Sequence, residues 1–337
     1  MVEATIRDVA RRAQVSTASV SRALNGVNNV SEETRSRVLA AATDLGYVPH
    51  AGARSLSLAR TNAIGVVLPD VHGAFFSEIV RGMDSEASKR GYLLLLSNMH
   101  GVNPQPDSVL RAMRGRVDGL LVMAPHLDAE TLIRALPATT PTVLINGPGE
   151  LHDYSNLRLD NGAGVDALIC HLTSLGRRRI IHLGGPRNNV DAQERAAAFR
   201  SAMERYAPGE DILDLPGDFT EKAGEETIRR LLSQGVQFDA VFAANDMMAI
   251  GVLQALKKAG LQVPADVAVA GFDDVPLARH LDLTTVRARI AELGVRAIAR
   301  LVEMLGNGDP EPFQELHSTE LVVRGTTDPR SLGRGPR

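Results

Sequence analysis

The chain has 337 residues, 44% apolar and 23% charged, with one cysteine (Cys170) and no tryptophan. That length accommodates two or three domains of roughly 100–200 residues each, and no apolar run approaches the roughly 18–20 residues of a membrane-spanning helix. A single cysteine excludes an intrachain disulfide and a cysteine cage for a metal. The opening MVEATIRDVARR is charged where a signal peptide would be apolar, so a cytoplasmic protein without a membrane partner is expected. The net charge of −3 is unevenly spread: residues 1–60 carry eight arginines against five acids, and the rest is net acidic. A basic head on an acidic body predicts that a polyanion meets one end only.

Three short helices are predicted between residues 5 and 45. Thr5 with Asp8 makes an approximate capping box, and Ile6, Val9, Ala10 and Ala13 recur at helical spacing. Gln14-Val15 is a tight break. Ser16 caps a second helix running to about Leu24, which Asn25-Gly26 ends through their tolerance of the left-handed conformation. Ser31 caps a third, with Glu32 and Glu33 suiting its dipole, Val38, Ala42 and Leu45 as its buried stripe, and Gly46 closing it. Two short helices with almost no loop between them, braced by a third, fit a helix-turn-helix. On the second helix Val15, Val20, Ala23 and Leu24 can face the core. Thr17, Ala18, Ser21 and Arg22 are left outward, a face small enough for a major groove, with an arginine fork for a guanine edge. An ordinary three-helix cap with a solvated face is the competing reading.

Residues 46–56, GYVPHAGARSL, follow directly. Together the stretches TIRDVARRAQVSTASVSRALN, VSEETRSRVLAAATDLGYVP and ARSL closely resemble the lactose-repressor (LacI) family of bacterial transcription regulators, and the resemblance runs on to about residue 325. It implies that the Ser16–Asn25 helix lies in the major groove of operator DNA, with Thr17, Ala18 and Arg22 at base-reading positions. Ser16, Ser19, Ser21, Asn25, Asn29, Ser31 and Thr34 match phosphate-contacting positions, which fix register and carry little sequence information. Residues 50–58 match a hinge helix that orders on DNA. Ala53 there is a DNA-contacting position, and Leu56 matches the wedge that enters the minor groove and kinks the operator. His50, where asparagine is frequent, and Gly52 inside the hinge depart from the pattern.

From residue 61 the rhythm changes to strands alternating with helices. Ile64–Leu68, Tyr92–Ser97, Gly119–Met123, Thr142–Ile145, Ile180–Leu183, Ala240–Ala243 and Val267–Gly271 read as buried strands, which predicts parallel sheets covered on both faces. So long a stretch favours two lobes with a cleft between them. The fold class expected is thus an all-α helix-turn-helix module plus an α/β two-lobed effector domain, similar to the type I periplasmic sugar-binding fold the family uses. The expected domains are 1–49, a hinge at 50–60, a body at 61–325 and a tail at 326–337. On the family's template lobe 1 takes 61–160 and 290–325, and lobe 2 takes 161–289. The tail shows no heptads, so no coiled-coil tetramer is expected.

Ligands in such sheets bind at the carboxyl ends of strands. That singles out Asp70, Asn146, Asn245-Asp246 and Asp273-Asp274, with Arg195 on the helix after Gly184-Gly185-Pro186. Carboxylates, amides and one arginine fork suit sugar hydroxyls, which both donate and accept. Phe75, Phe76 and Phe219 can offer flat faces, core packing being the competing reading. The resemblance adds Asp191 and places it at an effector-lining position together with Asp70, Phe75, Phe76, Asn146, Arg195, Phe219, Asn245 and Asp273; Asp246 is assigned to capping the helix it begins. His171 and His182 are expected to be satisfied structural residues. The predicted protein is a regulator, a repressor by default, working as a homodimer on a pseudo-palindromic operator and sensing a small molecule, expected to be a carbohydrate, with no cofactor and no metal.

Two other classes stay open. The run Gly162-Ala-Gly164-Val-Asp-Ala167 matches a relaxed G-x-G-x-x-A, which points to a dehydrogenase, although the next strand ends in Gly-Gly and not in an acid for a ribose. No G-x-S-x-G, H-E-x-x-H or phosphate-binding G-x-x-x-x-G-K occurs. A free sugar-binding protein accounts for 61–325 but leaves residues 5–56 without a role.

Overall fold

The computed structural model describes residues 4–25, 30–48, 60–71, 73–99, 106–308 and 311–328. The chain divides into two compact units, one up to Ala63 with Gly115–Asp118 and the other the remainder. Asp118 accounts for the inclusion of the short segment: its carboxylate accepts the N–H groups of Thr61 and Asn62 at 2.6 and 2.9 Å.

The first unit holds α1 (Ile6–Ala13), α2 (Thr17–Leu24) and α3 (Glu32–Asp44). They close around Val9, Val20 and Val38, which have no exposed surface. Each start has the cap its sequence calls for. Asp8 accepts the Thr5 N–H at 3.0 Å, Ser16 the Ser19 N–H at 3.1 Å, and Ser31 the Thr34 N–H at 3.3 Å. Gln14 turns the chain between α1 and α2 in the left-handed region, and Gly46 does the same after α3. Two expectations need correcting. Asn25 ends α2 at φ −90° and is not left-handed. Leu45 follows α3 as an exposed C-cap, and Ala41 completes the buried face with Val38 and Ala42.

The second unit begins with β1 (Ala63–Leu68), α4 (Ala74–Lys89), β2 (Leu93–Asn98), α5 (Pro106–Met113), β3 (Gly119–Met123), α6 (Ala129–Ala135), β4 (Thr142–Ile145) and β5 (Ser155–Leu159). It continues with α7 (Asn161–Ser174), β6 (Ile180–Leu183), α8 (Val190–Tyr206), β7 (Leu213–Leu215), α9 (Glu221–Ser233), β8 (Ala240–Ala243) and α10 (Asp246–Lys258). Last come β9 (Ala268–Asp273), α11 (Pro276–His280), β10 (Thr284–Arg287), α12 (Ile290–Asn307), β11 (Gln314–His317) and β12 (Glu320–Val322). Two six-stranded sheets result, ordered β11-β5-β4-β3-β1-β2 and β12-β10-β9-β8-β6-β7. β1, β3, β4, β6, β8 and β9 are buried along their whole length, which is why their sequences are predominantly apolar, Thr142, His182 and Asp273 being the polar residues among them. Edge strand β2 departs from the expected double cover, leaving Leu93 73% and Leu96 48% exposed.

Among the described residues the chain passes between the lobes three times: at Asp160, between β10 and α12, and between β11 and β12. The third passage corrects the expected lobe boundary at 325. β12 pairs antiparallel with β10, Val286 facing Leu321, so the segment from Glu320 belongs to the second sheet. Further on, the Val269 N–H donates to Thr326 O at 2.9 Å.

The glycine motif at 162–167 lies within α7 and not in a loop ahead of it. A Cβ on Gly164 would stand 2.6 Å from Val286 Cγ1 and 2.7 Å from Thr319 Oγ1. The residue lets α7 seat on the second sheet, and the helix offers no phosphate cradle.

Candidate functional site

Loops following β1, β3, β6, β7, β8 and β9 line one cavity of about 360 Å³ between the lobes. Of the nine expected lining residues, eight meet there: Asp70, Phe75, Phe76, Asp191, Arg195, Phe219, Asn245 and Asp273. Asn146 does not. It is buried behind the wall, where its Nδ2 donates to Asp191 Oδ2 at 3.0 Å and so ties β4 of lobe 1 to α8 of lobe 2.

Arg195 is the fixed point of the cleft. Its Nε donates to Asn161 Oδ1 at 2.8 Å, Nη1 donates to Ala244 O, and the guanidinium lies 3.7 Å over the Phe272 ring. Nη2 is 3.7 Å from Asp273 Oδ1, too long for a hydrogen bond. Asp273 Oδ1 is buried and accepts no hydrogen bond among the described residues. Burial pushes the Asp273 carboxyl up to about 7, with Arg195 pulling it down and Asp191 pushing it up again. Asp191 is also raised, by burial first, even though Asn161 and Asn146 both donate to it.

Asn146 (φ 48°), Phe219 (φ 69°) and Asp273 (φ 114°) hold backbone conformations that L side chains rarely adopt, as does Asp274 (φ 56°), the residue after Asp273. Such clustering marks sites where the surroundings hold a costly conformation for a purpose. Phe219 is further accommodated by Gly185, where a Cβ would come within 2.3 Å of the ring.

The assignment of Asp246 needs correcting. Asn245 caps α10 by accepting the Met248 N–H at 2.9 Å, and its Nδ2 donates to Phe219 O at 3.0 Å. Asp246, fully buried, accepts from the Thr285 hydroxyl and from the Val275 N–H at 2.9 Å, joining α10 to the loop after β9. Burial and the nearby Asp273 raise its pKa well above the ordinary carboxylate range. His171 is satisfied, with Nε2 2.9 Å from Thr327 Oγ1. His182 is half so: Nδ1 meets Asp214 Oδ1 at 2.8 Å, while its buried Nε2 has no partner among the described residues.

Sequence reading missed His126, Asp218, Glu221 and Met247, which also line the cavity. Asp218 and Glu221 flank Thr220, the cap of α9. That capping pattern was a usable signal, but the three-residue β7 before it gives no apolar run to mark a strand end.

On the first unit, Ser16, Thr17, Ala18 and Arg22 are exposed along one side of α2, while Ser19, Ser21 and Asn25 are half-buried. Ser31 and Thr34 sit together at the start of α3, their hydroxyls 2.9 Å apart. Asn29, Ala53 and Leu56 lie outside the described residues, as do His50 and Gly52.

Residues 5–50 match the family model for bacterial regulatory proteins of the lacI family, and residues 169–327 match a periplasmic binding protein-like domain. The chain is 39% identical over 309 residues to the ribose operon repressor of Escherichia coli strain K12, spanning 90% of this chain and 93% of that one. It is 35% identical over 345 residues to the transcriptional repressor PurR of Salmonella paratyphi B, spanning 99% and 98%. Its fold matches a crystal structure of the lac repressor dimer bound to operator and the anti-inducer ONPF, with a TM-score of 0.87, 28% identity and coverage of 97% of this chain and 99% of that one. The helix-turn-helix head and the two-lobed body with its strand-end cleft thus belong together: the chain is a member of the LacI family of bacterial transcription regulators.

Proposed function

We propose that this protein is a transcriptional repressor whose hold on operator DNA is set by a small polyhydroxylated effector bound between the lobes. The observation that carries the reading is the convergence of Arg195, Asp191 and Asp273 on one cavity with ring faces from both lobes. Charged acceptors and a fixed guanidinium orient hydroxyls, and aromatic faces take the apolar side of a sugar ring. Thr17, Ala18 and Arg22 would read base edges, and Ser16, Ser19, Ser21, Asn25, Ser31 and Thr34 would set register on phosphates. One helix-turn-helix reads one half-site, so a homodimer on a pseudo-palindromic operator follows. Exposed Leu93, Leu95 and Leu96 on edge strand β2 offer apolar surface for a second copy. We read the protein as cytoplasmic, where its DNA is, and as a binder without an enzymatic step.

Fluorescence anisotropy tests this, using labelled DNA fragments selected by the protein from a random pool, titrated with and without sugars and nucleosides. Selection of a two-fold consensus and a shift in its affinity with a compound that also raises Tm support the reading. Salt-sensitive binding with no consensus, or a consensus untouched by every stabilising compound, would refute it.

A further inference from the structure

Three carboxyl groups crowd around one guanidinium in and behind the cleft wall. Asp191 and Arg195 come from α8, Asp246 from the start of α10 and Asp273 from the end of β9, and none of the three acids is more than 8% exposed. Ionising all three beside Arg195 alone would leave two negative charges out of water and unbalanced, a cost that a buried carboxyl avoids by keeping its proton.

Their hydrogen-bond partners decide where a proton stays. Asp191 accepts amide N–H groups from Asn161 at 2.9 Å and Asn146 at 3.0 Å. Asp246 accepts the Val275 N–H at 2.9 Å and the Thr285 hydroxyl. The neighbouring Asp274 lies between Arg287 Nε at 2.7 Å and Arg324 Nη2 at 2.6 Å, so those two cations are spent on it. Asp273 Oδ1 accepts no hydrogen bond among the described residues, and Arg195, held by Asn161 and Ala244 O, stays 3.7 Å away. The remaining titratable groups on the cavity wall bring no cation at pH 7. Asp70, Asp218 and Glu221 are acids, and burial lowers the pKa of His126. Burial accordingly holds the Asp273 carboxyl at about 7, with Arg195 opposing and Asp191 reinforcing it. A hydroxyl donated to Oδ1 from the cavity would supply the missing donor and favour the ionised form.

Resting on the reading of this cleft as the effector site, we propose that effector binding is a proton exchange: a ligand hydroxyl replaces the proton on the Asp273 carboxyl, that proton passes to solvent, and effector affinity climbs as pH rises to neutrality. D-Ribose, D-xylose, D-glucose, D-galactose and the common ribonucleosides are ranked by the Tm shift they give the full chain. The strongest is then titrated calorimetrically at about pH 6.5 in PIPES and in Bis-Tris, whose ionisation heats differ. The two heats should differ by the release of more than about half a proton per ligand, and affinity should rise about tenfold between pH 5.5 and pH 7.5 and then level. Asp273→Asn should bind more weakly and release no proton. Should that variant not fold or bind, the infrared difference spectrum of wild type with isotope-labelled aspartate replaces it, and a protonated-carboxyl band should vanish on binding. Binding without proton release, a band that persists, or release that survives in Asp273→Asn overturns the proposal and leaves the effector cleft in place. No binding by any compound of the panel removes the cleft as effector site and the proposal with it.

Discussion

Asn161 Oδ1 accepts the Nε–H of Arg195 at 2.8 Å. Asn161 is the first helical residue after the chain passes from lobe 1 to lobe 2, so the arginine of the cleft is oriented by the connection itself. Through Nδ2 the same amide donates to Asp191 Oδ1 at 2.9 Å and Glu194 Oε2 at 2.8 Å. Glu194 in turn pairs with Arg158 of β5. One buried amide thus orients two cleft residues and reaches lobe 1 through a third.

Replacing Asn161 with Ala should therefore damage binding beyond its own absence from the cavity wall. Leaving Arg195 Nε and Asp191 Oδ1 without their partner should cost about 1–3 kcal/mol of stability and a similar amount of effector affinity. Urea unfolding beside a ligand titration measures both. Unchanged affinity in a destabilised variant would confine Asn161 to a packing role.

Asp273 makes the stability of the empty protein depend on pH with a definite sign. Its carboxyl stands at about 7 when folded, against about 3.9 in an unfolded chain. Between those values the folded state binds more protons than the unfolded state, so this group's contribution falls as pH rises and is least favourable above about 7. Asp273→Asn has no such titration. Its stability relative to wild type should improve by about 2–4 kcal/mol between pH 4 and pH 8, read from urea midpoints at both ends. A constant gap would place the proton on another carboxylate of the group.

Gly164→Ala should destabilise the protein by about 1–3 kcal/mol, because the added methyl has to displace Val286 and Thr319. Binding of DNA by the folded variant should be unchanged in sequence preference. Calorimetric melting and binding-site selection check the two halves of this expectation; a neutral substitution would mean that α7 shifts to make room.

Arg22→Ala should cost about 1–3 kcal/mol per half-site and flatten preference at one base pair. The side chain is exposed on α2 beside Thr17 and Ala18. Binding-site selection with the variant is the measurement, and an unchanged consensus would take Arg22 off the base-reading face.

Legibility in the sequence tracked burial. Thr142–Ile145, Ile180–Leu183 and Ala240–Ala243 are read at their true bounds because strands covered on both faces are predominantly apolar, even with Thr142 and His182 among them. β7 and β12, three residues each, have no fully buried residue and no run to see. Without β12 the third passage between lobes could not be placed. In the cleft, the strand-end rule finds Asp70, Asn245 and Asp273, yet it cannot tell a residue that faces the ligand from one that holds its neighbour. Asn146 and Asp246 fall on that side, since orientation at a strand end depends on partners far away in the chain.

The three passages between the lobes have a mechanical consequence. A single connection would let the lobes twist, slide and open independently, and two would still permit bending about the line joining them. Three strands of backbone side by side suppress sliding and torsion and leave one soft coordinate, the opening angle of the cleft. A ligand that closes the cleft then delivers its binding energy along that angle, with little dispersed into unrelated motions. The signal leaving the body is one scalar, and its amplitude is bounded by how differently the ligand binds at the two extremes of the angle.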